Sequence, residues 1–183
     1  HVHDGGIGMN GPVAFPLTDA GNGTYVLAET NISPSNLDAL TSGEWYLNVH
    51  TTANPNGEVR GQIVPDTTAV VTFSLSGSQE VPAVDTMAMG SGYALFDTTN
   101  NNVSLVAVTT IENATMAHIH TGFAGENGDV LVGLVESEST AGVWMTDGSI
   151  ALDEATATQL LAGGHYVNVH TAANTGGEIR GQI

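Results

Sequence analysis

The sequence predicts an all-β fold: tandem antiparallel β-sandwich modules, each with one short helix. Three observations predict it. Short runs alternate apolar with polar residues, as in Val71, Phe73 and Leu75 and again in Val103, Leu105 and Ala107; that period of two marks half-buried strands. The composition is rich in Gly, Thr, Asn, Ser and Val, which suits short strands joined by many turns. And the chain repeats itself.

His1-Val2-His3-Asp4-Gly5-Gly6-Ile7-Gly8-Met9-Asn10-Gly11 aligns without a gap on His118-Ile119-His120-Thr121-Gly122-Phe123-Ala124-Gly125-Glu126-Asn127-Gly128. Tyr46-Leu47-Asn48-Val49-His50-Thr51 matches Tyr166-Val167-Asn168-Val169-His170-Thr171, and Gly57 to Ile63 matches Gly177 to Ile183. The second copy carries extra sequence from about Val70 to Met116 that the first lacks. Residues 1–63 therefore read as the C-terminal half of a module, 64–69 as a linker, and 70–183 as a complete module. A half-module exposes unpaired strand edges. The expectation is that upstream sequence, or strands exchanged with another chain, complete it. Such self-association would tend towards filaments.

Further strands are expected at Tyr93 to Phe96 and Val143 to Met145. A helix is expected over Asp153 to Leu161, closed by Gly163-Gly164. Its counterpart starts at Ser33-Pro34, a cap followed by proline in the first turn. The C-terminal segment reads as a hairpin, Tyr166 to Thr171 and Glu178 to Ile183, about a three-residue turn at Asn174-Thr175-Gly176.

Charge narrows the function. Nineteen acidic residues face two basic ones, Arg60 and Arg180, for a net charge of -17. Nucleic acid, which needs a basic surface, is excluded, and anionic membranes are disfavoured. Cations would concentrate near such a surface. No apolar run reaches the roughly 18 residues of a membrane span. Cysteine is absent, so neither disulfides nor thiolate metal sites arise. The chain opens inside a motif, with no signal peptide, and reads as a mature or fragmentary secreted protein.

Six of the seven histidines fall into two equivalent sets: His1, His3, His50 and His118, His120, His170. Residues two apart on a strand share a face, so each His-x-His pair can reach one ion. A third imidazole from the hairpin completes a site suited to copper, with zinc the alternative, one ion per module. Met116 shares the face of His118 and is a candidate soft axial ligand, although core packing is the role the sequence favours. Met87 and Met89 are a similar, weaker case. His165, whose counterpart is Trp45, falls on the opposite face and is left out. His1 reads as a boundary within a longer chain; as a true N-terminus, its amine and imidazole would chelate copper together.

Arg60 and Arg180 each follow the third histidine by ten residues. With a three-residue turn, they would sit across from His50 and His170. Glu58 and Glu178 would then share a strand face with them and form local ion pairs. Locking the hairpin is the favoured role; drawing an anion such as superoxide to the metal is the alternative.

The stretch Leu75-Ser76-Gly77-Ser78-Gln79-Glu80-Val81-Pro82, then Ala117-His118-Ile119-His120, Tyr166 to Thr171 and Gly177 to Gln182, resembles the CHRD domain, named for chordin. The resemblance covers 70–183, and residues 1–63 match its second half. It implies a secreted β-sandwich module, without a settled biochemical role. The His-Val-His and His-Ile-His triplets are also similar to the copper-ligating His-x-His strand of Cu/Zn superoxide dismutases. Two functions follow as expectations: an extracellular metal-binding structural or assembly protein, or a copper-dependent oxidoreductase of superoxide dismutase type.

Overall fold

A computed structural model describes every residue from His1 to Ile183. The chain divides into two compact units, His1–Asp66 and Thr67–Ile183. The strand that opens the second unit begins at Thr68, inside the segment expected to be linker.

The first unit contains β1 (Val2–Asp4), β2 (Val13–Phe15), β3 (Thr18–Gly21), β4 (Thr24–Val26), α1 (Pro34–Thr41), β5 (Trp45–Val49) and β6 (Val59–Ile63). Its main sheet runs β2-β1-β5-β6, and β3 with β4 forms a separate hairpin. Ser33 caps α1, its hydroxyl accepting from the Asn36 amide, with proline directly after the cap, as the sequence indicates.

The second unit contains β7 (Thr68–Ser76), β8 (Met89–Asp97), β9 (Asn102–Thr109), β10 (Met116–Thr121), β11 (Val130–Glu136), β12 (Val143–Met145), β13 (Ile150–Ala151), α2 (Glu154–Leu161), β14 (His165–His170) and β15 (Ile179–Gln182). Asp153 caps α2 by accepting from the Thr156 amide. The all-β class and the single short helix per unit are as expected. The closure differs from a sandwich. The strands run β12-β11-β10-β14-β15-β7-β8-β9, and β9 pairs with β12, so the sheet bends round into a barrel with β13 added on β9. A closed ring leaves no main edge unpaired. Alternation by itself cannot separate the two architectures, because both bury every second residue of each strand.

Inside the barrel, Phe73, Leu75, Phe96, Leu105, Ile119, Val167, Val169 and Ile179 form one core. Burying these side chains is the main force holding the unit together, at roughly 25 cal/mol per Å² of apolar surface. Because Ala117, Ile119, Val167, Val169 and Ile179 point inward, alternation turns His118, His120, Tyr166, Asn168, His170 and Arg180 to the outer face.

The first unit has no equivalent of β7 to β9, and the same positions are uncovered in it. Val59 is 62% exposed where its counterpart Ile179 is fully buried; Leu47 is 42% exposed where Val167 is fully buried. Val13 and Val26 are also exposed, while Phe15 packs on the Trp45 ring at 5.3 Å.

His165 points into the second unit, fully buried, and neither ring nitrogen has a hydrogen-bond partner. Burial pushes its pKa below the ordinary histidine value. The unfolded chain therefore binds a proton more readily than the folded one. Stability is complete above about pH 6.5 and is lost as pH falls towards the depressed folded value, at up to about 1.4 kcal/mol per pH unit. Replacing His165 with Trp, the residue of the first unit, should flatten this acid limb, measured as melting temperature against pH.

Candidate metal centres

Each unit gathers its three histidines on the outer face of the sheet, and in each set one ring nitrogen per residue falls within 4.8 Å of the others. In the second unit, the Nδ1 of His118 lies 3.1 Å from the Nε2 of His170. In the first, the Nδ1 of His1 lies 3.2 Å from the Nε2 of His50. These separations are close to those of imidazole nitrogens sharing one ion at about 2.0–2.1 Å each.

The backbone sets which nitrogen faces the centre. The Nδ1 of His120 is 3.0 Å from the Gly128 carbonyl, and that of His170 is 3.0 Å from the Thr175 carbonyl. A carbonyl only accepts, so both Nδ1 atoms carry the hydrogen and both Nε2 atoms are left with a bare lone pair. His3 and His50 repeat this against the carbonyls of Gly11 and Pro55, at 2.9 and 3.0 Å. The Nε2 atoms of His3 and His120 are buried without any partner. A buried orphan lone pair is costly, and coordination of a cation would satisfy it. The donor set fits a transition metal that takes nitrogen ligands, and the hydrogen bond to the far side of each ring is the usual means of fixing a metal-ligating histidine.

Burial is the main cause lowering the pKa of His118 and of His170, with the neighbouring histidines adding to it and the Thr175 carbonyl opposing it at His170. Both rings are thus biased towards the neutral form that ligates.

A stack supports each centre. The His120 ring lies on Tyr166 at 4.9 Å between centroids and 8° from parallel, and the Arg180 guanidinium covers the other face of Tyr166 at 3.4 Å. His3, Tyr46 and Arg60 repeat it at 4.9 Å and 3.4 Å. Arg180 also donates to the Glu126 and Phe123 carbonyls at 2.7 and 3.0 Å, and Gln182 donates to the Gly122 carbonyl. These bonds tie down the loop that presents the Gly128 carbonyl to His120. Arg60 and Gln62 hold the matching loop through Met9, Gly6 and Gly5. Gly128 and Gly11 must be glycine, because an added Cβ would run into the carbonyl oxygens of Thr121 and Asp4.

Several expectations need correcting. Arg180 lies across from Asn168, and Arg60 across from Asn48, not across from the third histidines. The three-residue turn is the reason: the connection spans Thr171 to Glu178, folded on Asn174, whose carbonyl accepts from the Thr171 and Gly177 amides. Glu178 forms no local ion pair with Arg180. It accepts from the hydroxyls of Thr86 and Thr171, which hold its pKa below the usual carboxylate value. Glu58 likewise accepts from Thr51. Arg180 is 1% exposed and committed to its loop, so it offers no surface charge to an approaching anion. Met116 is not packed in the core: it is 47% exposed and sits directly across from His170. Met87 and Met89 are exposed as well.

Sequence reading passed over Tyr46 and Tyr166, Gln62 and Gln182, and Gly11 and Gly128. All six stand inside the repeated motifs, so the repeat itself held the signal.

The fold and site define an all-β protein carrying a duplicated three-histidine cluster on the outer face of its sheets. A CHRD domain family model matches residues 1–63 and 71–183, and the chain belongs to the CHRD domain family. No curated protein and no solved structure matches the chain.

Proposed function

We propose that this is an extracellular metal-binding protein with a structural or assembly role, holding one copper ion, or alternatively zinc, at each three-histidine cluster. The observation that carries the reading is the duplication. Two units share the same three ring nitrogens, the same carbonyl partners for their far sides and the same stacked tyrosine and arginine. Repeated preorganisation of this kind favours a ligand common to both sites. The family suggests an extracellular setting, and no helix is long and apolar enough to cross a membrane. The assembly part of the reading is that strands exchanged between chains join copies into filaments.

The competing reading is superoxide dismutation, for which bound copper would supply the electron exchange. The open lone pairs favour it, but the charge opposes it, since -17 repels an anionic substrate. One comparison separates the two. Metal-loaded protein should melt higher than chelated protein, by about 2.7 kcal/mol per site at a hundredfold excess of metal over its Kd, and should form larger particles. Its superoxide dismutation should stay at the level of free copper. Activity well above that level, with no change in particle size, would favour the enzyme instead.

A further inference from the structure

Glu80 is the one buried acidic side chain in the chain, 7% exposed. It follows the short 3-10 turn Gly77–Gln79 after β7 and reaches the outer face of β14. The Asn168 side-chain amide donates to its Oε2 at 3.1 Å. Its Oε1 is buried with no partner, and so is the Oδ1 of Asn168. Both orphan oxygens crowd the same spot: a Cβ on Gly177 would lie 2.5 Å from the Asn168 Oδ1 and 2.6 Å from the Glu80 Oε1. Two buried acceptors thus lie close to one point, and neither has a donor to meet its lone pairs. A single hydrogen on Oε1 satisfies both.

We propose that Glu80 is protonated in the folded protein and closes a cyclic acid–amide pair with Asn168, the acid O–H donating to Oδ1 while the amide N–H donates to Oε2. The pair fastens the turn after β7 to the strand that carries His170, beside the hairpin whose Thr175 carbonyl orients that histidine. The charged and titratable groups around it leave the proton in place. From β15, Arg180 faces Glu80 but is engaged with the Glu126 and Phe123 carbonyls. Glu178, on the connection before β15, is held by Thr86, Thr171 and Asn174. Tyr166 and His170 lie on β14, and His118 stands opposite Asn168 on β10. Consistent with this arrangement, burial pushes the Glu80 carboxyl up to about 7, against the opposing pull of Arg180 and Asn168. A folded value above the unfolded one of 4.5 means that the stabilisation is complete below pH 4.5 and is lost as pH rises through about 7.

Glu80→Gln tests the pair in the full chain, because glutamine copies the neutral acid: its N–H meets Oδ1 and its carbonyl meets the Asn168 amide. The variant should melt with the wild type near pH 4.5 and increasingly above it as pH passes 7. Every other titratable group is the same in both proteins and cancels in the difference. Infrared spectra of the wild type should show a protonated-carboxyl carbonyl band below about pH 7 that the variant lacks. A variant that melts below the wild type above pH 7, or that fails to fold, would overturn the proposal, since an ionised Glu80 would then be required. So would the absence of the carboxyl band from the wild type, whatever the variant does.

Discussion

Replacing His118 and His120 together with alanine is expected to halve the metal that the chain retains. The two histidines supply two of the three nitrogens at the second centre, and the remaining His170 cannot hold an ion tightly alone. The first centre, built from His1, His3 and His50, lies in a separate compact unit and should stay loaded. Both replaced side chains lie on the outer face of β10, while Ala117 and Ile119 carry the packing, so the barrel should keep its melting cooperativity. Elemental analysis after dialysis reads the ratio. An unchanged metal content would show that the histidines are not the ligands.

Arg180→Ala should produce the largest loss of stability of any single outer-face change, on the order of 3–5 kcal/mol. The guanidinium is buried, stacked on Tyr166 and bonded to two loop carbonyls. Removing it orphans those carbonyls and frees the loop that fixes the His120 ring through Gly128. Metal affinity at the second centre should fall with it, although Arg180 touches no ligand. Lysine should rescue little, because it lacks the planar fork that both stacks on a ring and donates to two carbonyls. Chemical denaturation of the two variants measures the effect. Wild-type stability in Arg180→Ala, with slower reaction towards superoxide, would return the residue to an anion-attracting role.

Much of this architecture is legible in the sequence because it is written twice. The repeat locates the histidines, and strand alternation places His118 with His120 on one face, opposite Ile119. Helix α2 is announced by its Asp153 cap and its Gly163-Gly164 end. What alternation does not encode is long-range closure: β9 meets β12 through residues that look like those of any half-buried strand. Nor does spacing fix the register of Arg180, because the fold of the Thr171 to Glu178 connection depends on the Asn174 carbonyl and the Thr171 hydroxyl rather than on its length. The carbonyls that set the tautomers of His120 and His170 are backbone atoms and carry no side-chain signature. Glu80 stands in a motif that resembles the CHRD domain, yet its meeting with Asn168 spans 88 positions of chain and appears only in the folded protein.

Two equivalent histidine clusters should behave as two equivalent metal sites when the metal-free chain is titrated with copper. Binding should saturate at two ions per chain, with each ion coordinated by imidazole nitrogen in its X-ray absorption spectrum. Saturation at none, or uptake that continues without a plateau onto the carboxylates of this acidic surface, would contradict it.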